Sequence, residues 1–266
     1  MVNIQSKIGG RAENQDFYGS AKTTNGELIV VCDGMGGRNG GKYAAETAVN
    51  TVLSEFSSNK NKDSVEGLKQ AIKLANTKIW EESVANTYYK GMGTTIVALL
   101  IKPDEAICCH VGDSRIYQIC DGEILFRTFD HSYVFEMVKA GMLTEEEARL
   151  SNKSNIITRA LGINSTVEVD VADKLSYQVG DRFVLCTDGI WGELPERQLV
   201  ESVSQTGNIK QIAEQLVEKI DTKGFQNGGN HDNLTIALVE IDKLNSATKK
   251  NWKSTFKIIA KFLKIK

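Results

Sequence analysis

Arg115-Ile-Tyr-Gln-Ile-Cys120-Asp121-Gly122-Glu123-Ile-Leu-Phe-Arg127 reads as two apolar strands around a two-residue turn. Asp-Gly tolerates the positive φ that a tight hairpin needs at both central positions, so the two strands are antiparallel. Working outward, Ala106–Val111 and Thr94–Ile101 form a second apolar pair across Pro103-Asp104-Glu105. Leu28–Cys32, Phe183–Thr187 and Leu234–Ile241 are further short runs rich in apolar residues, the pattern of buried strands. Apolar positions at helical spacing predict helices over Gly40–Phe56, Ser64–Val84, Glu196–Val203 and Ile209–Thr222. Antiparallel pairs with long helices inserted between them argue for an α+β layered domain rather than a parallel βαβ array. No linker-like stretch precedes residue 243, so residues 1–243 are expected to form one domain and residues 244–266 a separate tail.

Of 266 residues, 41% are apolar and 25% charged, which excludes a disordered chain, a collagen and a disulfide scaffold. No apolar run approaches the roughly 18 residues of a membrane-spanning helix. The start, Met1-Val-Asn-Ile-Gln-Ser, has no basic or apolar leader, so a cytoplasmic protein is expected. Cys32, Cys108, Cys109, Cys120 and Cys186 contain no Cys-x-x-Cys pair and are expected as reduced thiols, mostly buried. The net charge of −2 is a cancellation: residues 245–266 carry seven lysines and no acid, which leaves −9 for residues 1–244.

The chemistry-bearing pattern is aspartate beside glycine at the end of an apolar strand: Asp33-Gly34, Asp188-Gly189 and, reversed, Gly112-Asp113. Asp232 stands just before the strand Leu234–Ile241. One Asp-Gly is an ordinary turn. Four carboxylates at four strand ends fit hard-oxygen ligation of Mg²⁺ or Mn²⁺ if they converge, which spacing alone does not decide.

These elements, in order, resemble the metal-dependent protein phosphatases of the PPM type, also called type 2C. Arg11-Ala-Glu-Asn14-Gln15-Asp16 resembles R-x-x-N-[E/Q]-D, and Asp33-Gly34-Met35-Gly36-Gly37 resembles D-G-x-G-G. Gly93-Thr94-Thr95 resembles the G-T-T strand start, and Val111-Gly112-Asp113-Ser114-Arg115-Ile-Tyr117 resembles V-G-D-S-R-x-Y. Asp130-His131-Ser132 and Ile157-Thr158-Arg159-Ala160-Leu161-Gly162 resemble two further segments. Thr187-Asp188-Gly189 and Asp232-Asn233-Leu-Thr235 resemble S/T-D-G and D-N-x-T.

The resemblance implies a four-layer αββα sandwich, two antiparallel β-sheets flanked by helices. It implies hydrolysis of phosphoserine and phosphothreonine in proteins, opposing Ser/Thr kinase signalling, with two or three Mn²⁺ or Mg²⁺ ions. By the same resemblance Asp33 bridges two ions, the Gly34 carbonyl ligates one of them, and Asp188 and Asp232 complete that site. Asp113 with Asp188 holds a third ion, Asp16 holds water in the outer shell, and Arg11 binds the substrate phosphate. A water between two divalent cations ionises near neutral pH, and the guanidinium fork matches phosphate geometry. Gln15 stands where many eukaryotic members have Glu, and Met35 where animal members have a His proposed as general acid; both look like the bacterial branch. The alternatives are an inactive phospho-binding or scaffolding module on the same fold and a small-molecule phosphohydrolase.

Residues 133–155 correspond to the flap beside the active site, although a solvated helix pair explains their charges equally well. His131 is expected to brace a turn and Arg159 to form a structural ion pair; His231, adjacent to Asp232, is only a minor candidate for orienting it. In the tail, Trp252, Phe256, Ile259, Phe262 and Leu263 fall on one helical face and Lys253, Lys257, Lys261 and Lys264 on the other. That pattern fits an anionic membrane surface, here the inner face, an acidic partner, or the protein's own acidic body. Nucleic acid is not expected, since no base-reading motif accompanies the lysines, and a monomer is expected.

Overall fold

The computed structural model describes residues 1–36, 40–58 and 63–242. The chain runs β1 (Val2–Lys7), β2 (Asp16–Thr23), β3 (Gly26–Met35), α1 (Gly40–Ser58), α2 (Ser64–Ala85), β4 (Gly93–Thr94), β5 (Ile96–Ile101), β6 (Ala106–Val111), β7 (Arg115–Cys120) and β8 (Glu123–Arg127). It continues through α3 (Tyr133–Lys139), α4 (Glu145–Arg149), β9 (Asp170–Leu175), β10 (Arg182–Cys186), α5 (Asp188–Trp191), α6 (Glu196–Val203), α7 (Ile209–Gln226) and β11 (Leu234–Glu240).

The β7–β8 hairpin closes through Asp121 at φ 50° and Gly122 at φ 79°, the double positive φ that its sequence predicts. One sheet has the order β1-β11-β10-β7-β8 and the other β2-β3-β5-β6-β9, with the short β4 paired to β3. Every pairing is antiparallel.

Antiparallel strands commonly alternate apolar and polar residues, yet the central strands here are solidly apolar, because both of their faces are covered. Along β3, Leu28, Val30 and Cys32 face a core with α1 and α2. Ile29 and Val31, on the opposite face, meet Ile116, Phe183, Leu185, Ala237 and Val239 of the other sheet. Along β10, Val184 and Cys186 turn instead to the core under α6 and α7. Three apolar layers therefore separate four structural layers, and the αββα sandwich is the observed fold. Full burial of a side chain such as Phe183 stabilises the fold by about 1.5–3 kcal/mol.

Three strands fall outside the sequence-based set: β1, β2 and β9. All three are sheet edges, partly exposed, and carry polar residues that dilute the strand pattern. The expected strand Thr94–Ile101 is broken at Thr95: its N–H still donates to the Asp33 carbonyl of β3 at 2.8 Å, but the Asp33 N–H goes to the Thr95 hydroxyl at 2.9 Å rather than to its carbonyl. Gly37 of the glycine-rich element and the tail from residue 243 onward lie outside the described residues.

Candidate active site

The strand ends gather the aspartates. In the β2–β3 register Asp16 stands opposite Asp33. Asp113 lies between β6 and β7, Asp188 opens α5 directly after β10 and Thr187, and Asp232 precedes β11. Thr94 and Thr95 clasp Asp33: Thr94 Oγ1 donates to the Asp33 carbonyl at 2.8 Å, and the Asp33 N–H donates to Thr95 Oγ1 at 2.9 Å. Thr187 Oγ1 donates to Asp16 Oδ2 at 3.0 Å and accepts the Thr235 N–H at 3.2 Å, joining the two sheets beneath the site. Asn233 organises the loop that carries Arg11. Its Nδ2 donates to the Ile8 and Glu13 carbonyls, and its Oδ1 accepts the Gln15 N–H.

Gly9, at φ +62°, lets this loop approach the Asp232 segment so closely that an added Cβ would sit 2.0 Å from the Asp232 carbonyl oxygen. Gly10 then donates to the His231 carbonyl. The Gly9-Gly10 pair is a site feature that the motif reading passed over, although two adjacent glycines before Arg11 signal it. The result is a two-pronged contact: Arg11 Nε to Asp232 Oδ1 at 3.1 Å and Arg11 Nη2 to Asp232 Oδ2 at 2.8 Å.

The carboxylates are poorly compensated. Asp16 and Asp113 are buried, and Asp16 Oδ1, Asp113 Oδ1 and Asp188 Oδ1 lack any hydrogen-bond donor. Burial, and then the neighbouring carboxylates, push the Asp16 carboxyl up to about 7 and the Asp188 carboxyl up to about 6. Asp33 and Asp113 are held well above the usual carboxylate range, again by burial first and by Asp16 and Asp188 next. Orphaned, mutually repelling carboxylate oxygens are a hard donor set in want of a cation, and they fit Mg²⁺ or Mn²⁺.

A cleft of about 780 Å³ opens over Asp33, Gly34, Asp188 and Asp232, with Arg11 and Met35 on its wall. Asp16 and Asp113 lie behind this surface. All six acidic and glycine positions, with Arg11, thus meet at one end of the sandwich. An added Cβ on Gly34 would stand 2.1 Å from the Gly41 carbonyl oxygen, so no side chain fits there.

Residues 133–155 hold the short helices α3 and α4. Arg127 ties the second of them to the body through Glu145 and Glu196, at 2.6–2.9 Å.

His231 does not orient Asp232. Its Nε2 meets Asp221 of α7 at 2.9 Å, because the ring turns toward the helix that packs beside it. His131 does brace a turn: its backbone N–H donates to the Gly112 carbonyl and its Nδ1 accepts the Gly112 N–H. Its ring stacks on His110 at 4.7 Å, and burial holds its imidazole down at about 4. His110, His131 and Asp170 bring ligand atoms within 4.8 Å of one another. Arg159 already supplies the cation there, 2.5 Å from Asp170 Oδ1, in the structural ion pair that the sequence predicts.

The profile of the family described as "Protein phosphatase 2C" matches residues 5–221. A Streptococcus pyogenes protein described as "Putative protein phosphatase 2C-type" is 34% identical over 248 residues, 90% of this chain and 96% of the relative. The crystal structure of the serine/threonine phosphatase Stp1 from Staphylococcus aureus superposes with a TM-score of 0.81 at 29% identity, covering 91% of this chain and 95% of that one. The catalytic domain of the serine/threonine protein phosphatase PstP, solved with two manganese ions, gives 0.76 at 27% identity over 91% of this chain and 98% of its own.

Proposed function

The chain belongs to the protein phosphatase 2C family and is a metal-dependent serine/threonine phosphatase, and from that premise we propose which of its residues carry the reaction. Asp33, Asp188 and Asp232, with the Gly34 carbonyl, hold the central divalent ions, and Asp113 with Asp188 holds a further one. Mn²⁺ or Mg²⁺ fits this oxygen set, two or three ions in all. The observation that carries the reading is the set of buried carboxylate oxygens without donors, on Asp16, Asp113 and Asp188. When bound, the ions supply a water nucleophile at neutral pH and offset charge on the phosphoryl oxygens.

The protein's own groups do the rest. Thr187 occupies Asp16 Oδ2, which leaves Oδ1 to orient water from behind the cleft floor. Arg11 holds its guanidinium fork at the cleft wall by pairing with Asp232, and phosphate offers the same two-oxygen pattern. Were Asp232 to serve as a ligand, the Arg11 fork would be freed from it and would turn to the substrate phosphate. Met35 has no proton to give, so the departing alkoxide takes its proton from water in the open cleft. Substrates are phosphorylated proteins, as the names of the relatives imply.

Among the described residues no helix is long and apolar enough to cross a membrane. Attachment of the 245–266 tail to an anionic membrane face or an acidic partner rests on its basic, amphipathic sequence.

The test is hydrolysis of p-nitrophenyl phosphate and of a phosphothreonine peptide with Mn²⁺ and then with EDTA. Turnover that EDTA abolishes and fresh Mn²⁺ restores is expected. Turnover unaffected by EDTA would remove the metal reading, and hydrolysis of the small ester alone would remove the protein-phosphatase reading.

A further inference from the structure

Asp113 stands two residues before Arg115 of β7 and Asp188 two residues after Cys186 of β10, just past the last pair of that ladder, and each has a buried Oδ1 with no donor. Like charges in so dry a place repel, and the β7–β10 ladder, which ends at Arg115 and Cys186, does not reach the two aspartates themselves. Past the end of that ladder, one side chain spans the two segments. Trp191 follows Asp188 by three residues on the same helical turn, and it is buried. Its indole Nε1–H donates to the main-chain oxygen of Asp113 at 3.0 Å, across 78 positions of sequence.

The indole is itself fixed. The Arg115 guanidinium lies 3.7 Å over the centre of its ring. That guanidinium is pinned by both oxygens of Asp130, at 2.8 and 2.7 Å, and by the Tyr117 hydroxyl at 3.1 Å. Arg115, Asp130 and Tyr117 are all buried, so the stack is desolvated, where cation–π attraction is strongest. From the opposite side His131 grips Gly112 through its ring and its backbone, which leaves the Asp113 peptide little freedom to follow a moving partner.

We propose that Trp191, with its plane set by Arg115, is a positioning residue that holds Asp113 and Asp188 at one cation-binding separation. The inference rests on the reading of these carboxylates as cation ligands. Without the indole bond the segments beyond the Arg115–Cys186 pair spread under that repulsion before a cation arrives, and each binding event must first bring the carboxylates back together. Partners that orient ligands from outside the coordination sphere commonly change metal affinity about 10–100-fold when removed. The loss falls on the ion that Asp113 touches. Ions held through Asp33 and Asp232 change less.

The experiment uses the full chain in two forms: Trp191→Phe, and a protein carrying 3-benzothienylalanine at position 191. The second replaces the indole N–H by sulfur and keeps the ring's size and π face under Arg115. Mn²⁺ binding is followed by calorimetry and by Mn²⁺ electron paramagnetic resonance, with circular dichroism to confirm the fold. The expected result in both is a Mn²⁺ class weakened about 10–100-fold, with the remaining sites near wild type. Raising Mn²⁺ restores kcat while KM for a phosphothreonine peptide stays constant, a rescue that a purely structural role would not give. Wild-type binding isotherms in both variants, with normal Mn²⁺ binding by the parent, overturn this inference alone. So does a benzothienylalanine protein that fails to fold, since the bond then serves folding rather than the ion. A parent protein that binds no Mn²⁺ overturns the ligand reading and this inference together.

Discussion

Replacing Asp188 by Asn should make the metal-free protein more stable, and the Mn²⁺-loaded protein less so. In the folded, metal-free state burial and the neighbouring Asp232 push the Asp188 carboxyl up to about 6, from an ordinary 3.8. A carboxyl raised in this way binds its proton more tightly in the folded state than in the unfolded one. Stability is therefore lost as pH rises from about 4 through 6. At 1.36 kcal/mol per pKa unit the ionised group costs at most about 3 kcal/mol at pH 8 and about 0.5 kcal/mol at pH 4. Asn cannot ionise, so Asp188→Asn recovers this difference in EDTA at pH 8 and little of it at pH 4. For a domain of this size that corresponds to a thermal midpoint roughly 6–12 °C higher. Mn²⁺ reverses the order once it is well above its Kd: at about 1,000 times Kd a ligand stabilises by about 4.1 kcal/mol, more than the variant gains, and the variant has lost a ligand. The assay is thermal unfolding of both proteins at pH 4 and pH 8, each with EDTA and with Mn²⁺. An Asp188→Asn protein less stable than wild type in EDTA at pH 8 would refute the reasoning, as would equal stabilisation of the two by Mn²⁺.

Other expectations follow from the same geometry. Arg11→Ala should raise KM for a phosphothreonine peptide well above any loss in kcat, read by steady-state kinetics; an unchanged KM would remove Arg11 from phosphate binding. Apparent Mn²⁺ affinity should rise between pH 5 and pH 8, with protons released on binding, because Asp16 at about 7 and Asp188 at about 6 must give up protons to the ion; calorimetry in buffers of different ionisation enthalpy counts those protons, and a pH-independent affinity contradicts the ligand assignment. Thr95→Val should destabilise the fold by about 1–3 kcal/mol, since it strips the Asp33 N–H and the Ser114 hydroxyl of a buried partner, as denaturant unfolding would show. Deleting residues 245–266 should abolish flotation with anionic liposomes and leave p-nitrophenyl phosphate turnover intact; equal flotation of both chains removes the membrane reading.

How much the sequence discloses depends on where a residue sits. The central strands announce themselves because both faces of β3 and β10 are buried and nothing polar interrupts them. The hairpin is legible because Asp121-Gly122 has one cheap conformation. The edge strands β1, β2 and β9 are not, since exposure admits residues such as Ser20, Lys22 and Asp173 that carry no strand signal. The aspartates are legible one at a time as strand-end residues and, through the family resemblance, as a set. Their convergence belongs to topology: it needs β2 in register with β3, and β11 between β1 and β10. Contacts such as Arg11 with Asp232, or Trp191 with Asp113, span 221 and 78 positions and leave no local trace. His231 misleads for the same reason, because adjacency to Asp232 in sequence says nothing of the α7 carboxylate waiting beside its ring.

The central claim is that the buried carboxylates form a divalent-cation site that hydrolyses phosphoproteins. Its most direct test is a Mn²⁺ titration of the metal-free enzyme, followed in parallel by calorimetry and by phosphate release from a phosphothreonine peptide, in wild type and in Asp33→Asn. The expected result is phosphate release that appears in step with Mn²⁺ occupancy in the wild type, and neither binding of the central ions nor release in the variant. Phosphate release before any ion is bound, or an Asp33→Asn protein that binds Mn²⁺ and turns over as wild type does, would contradict it.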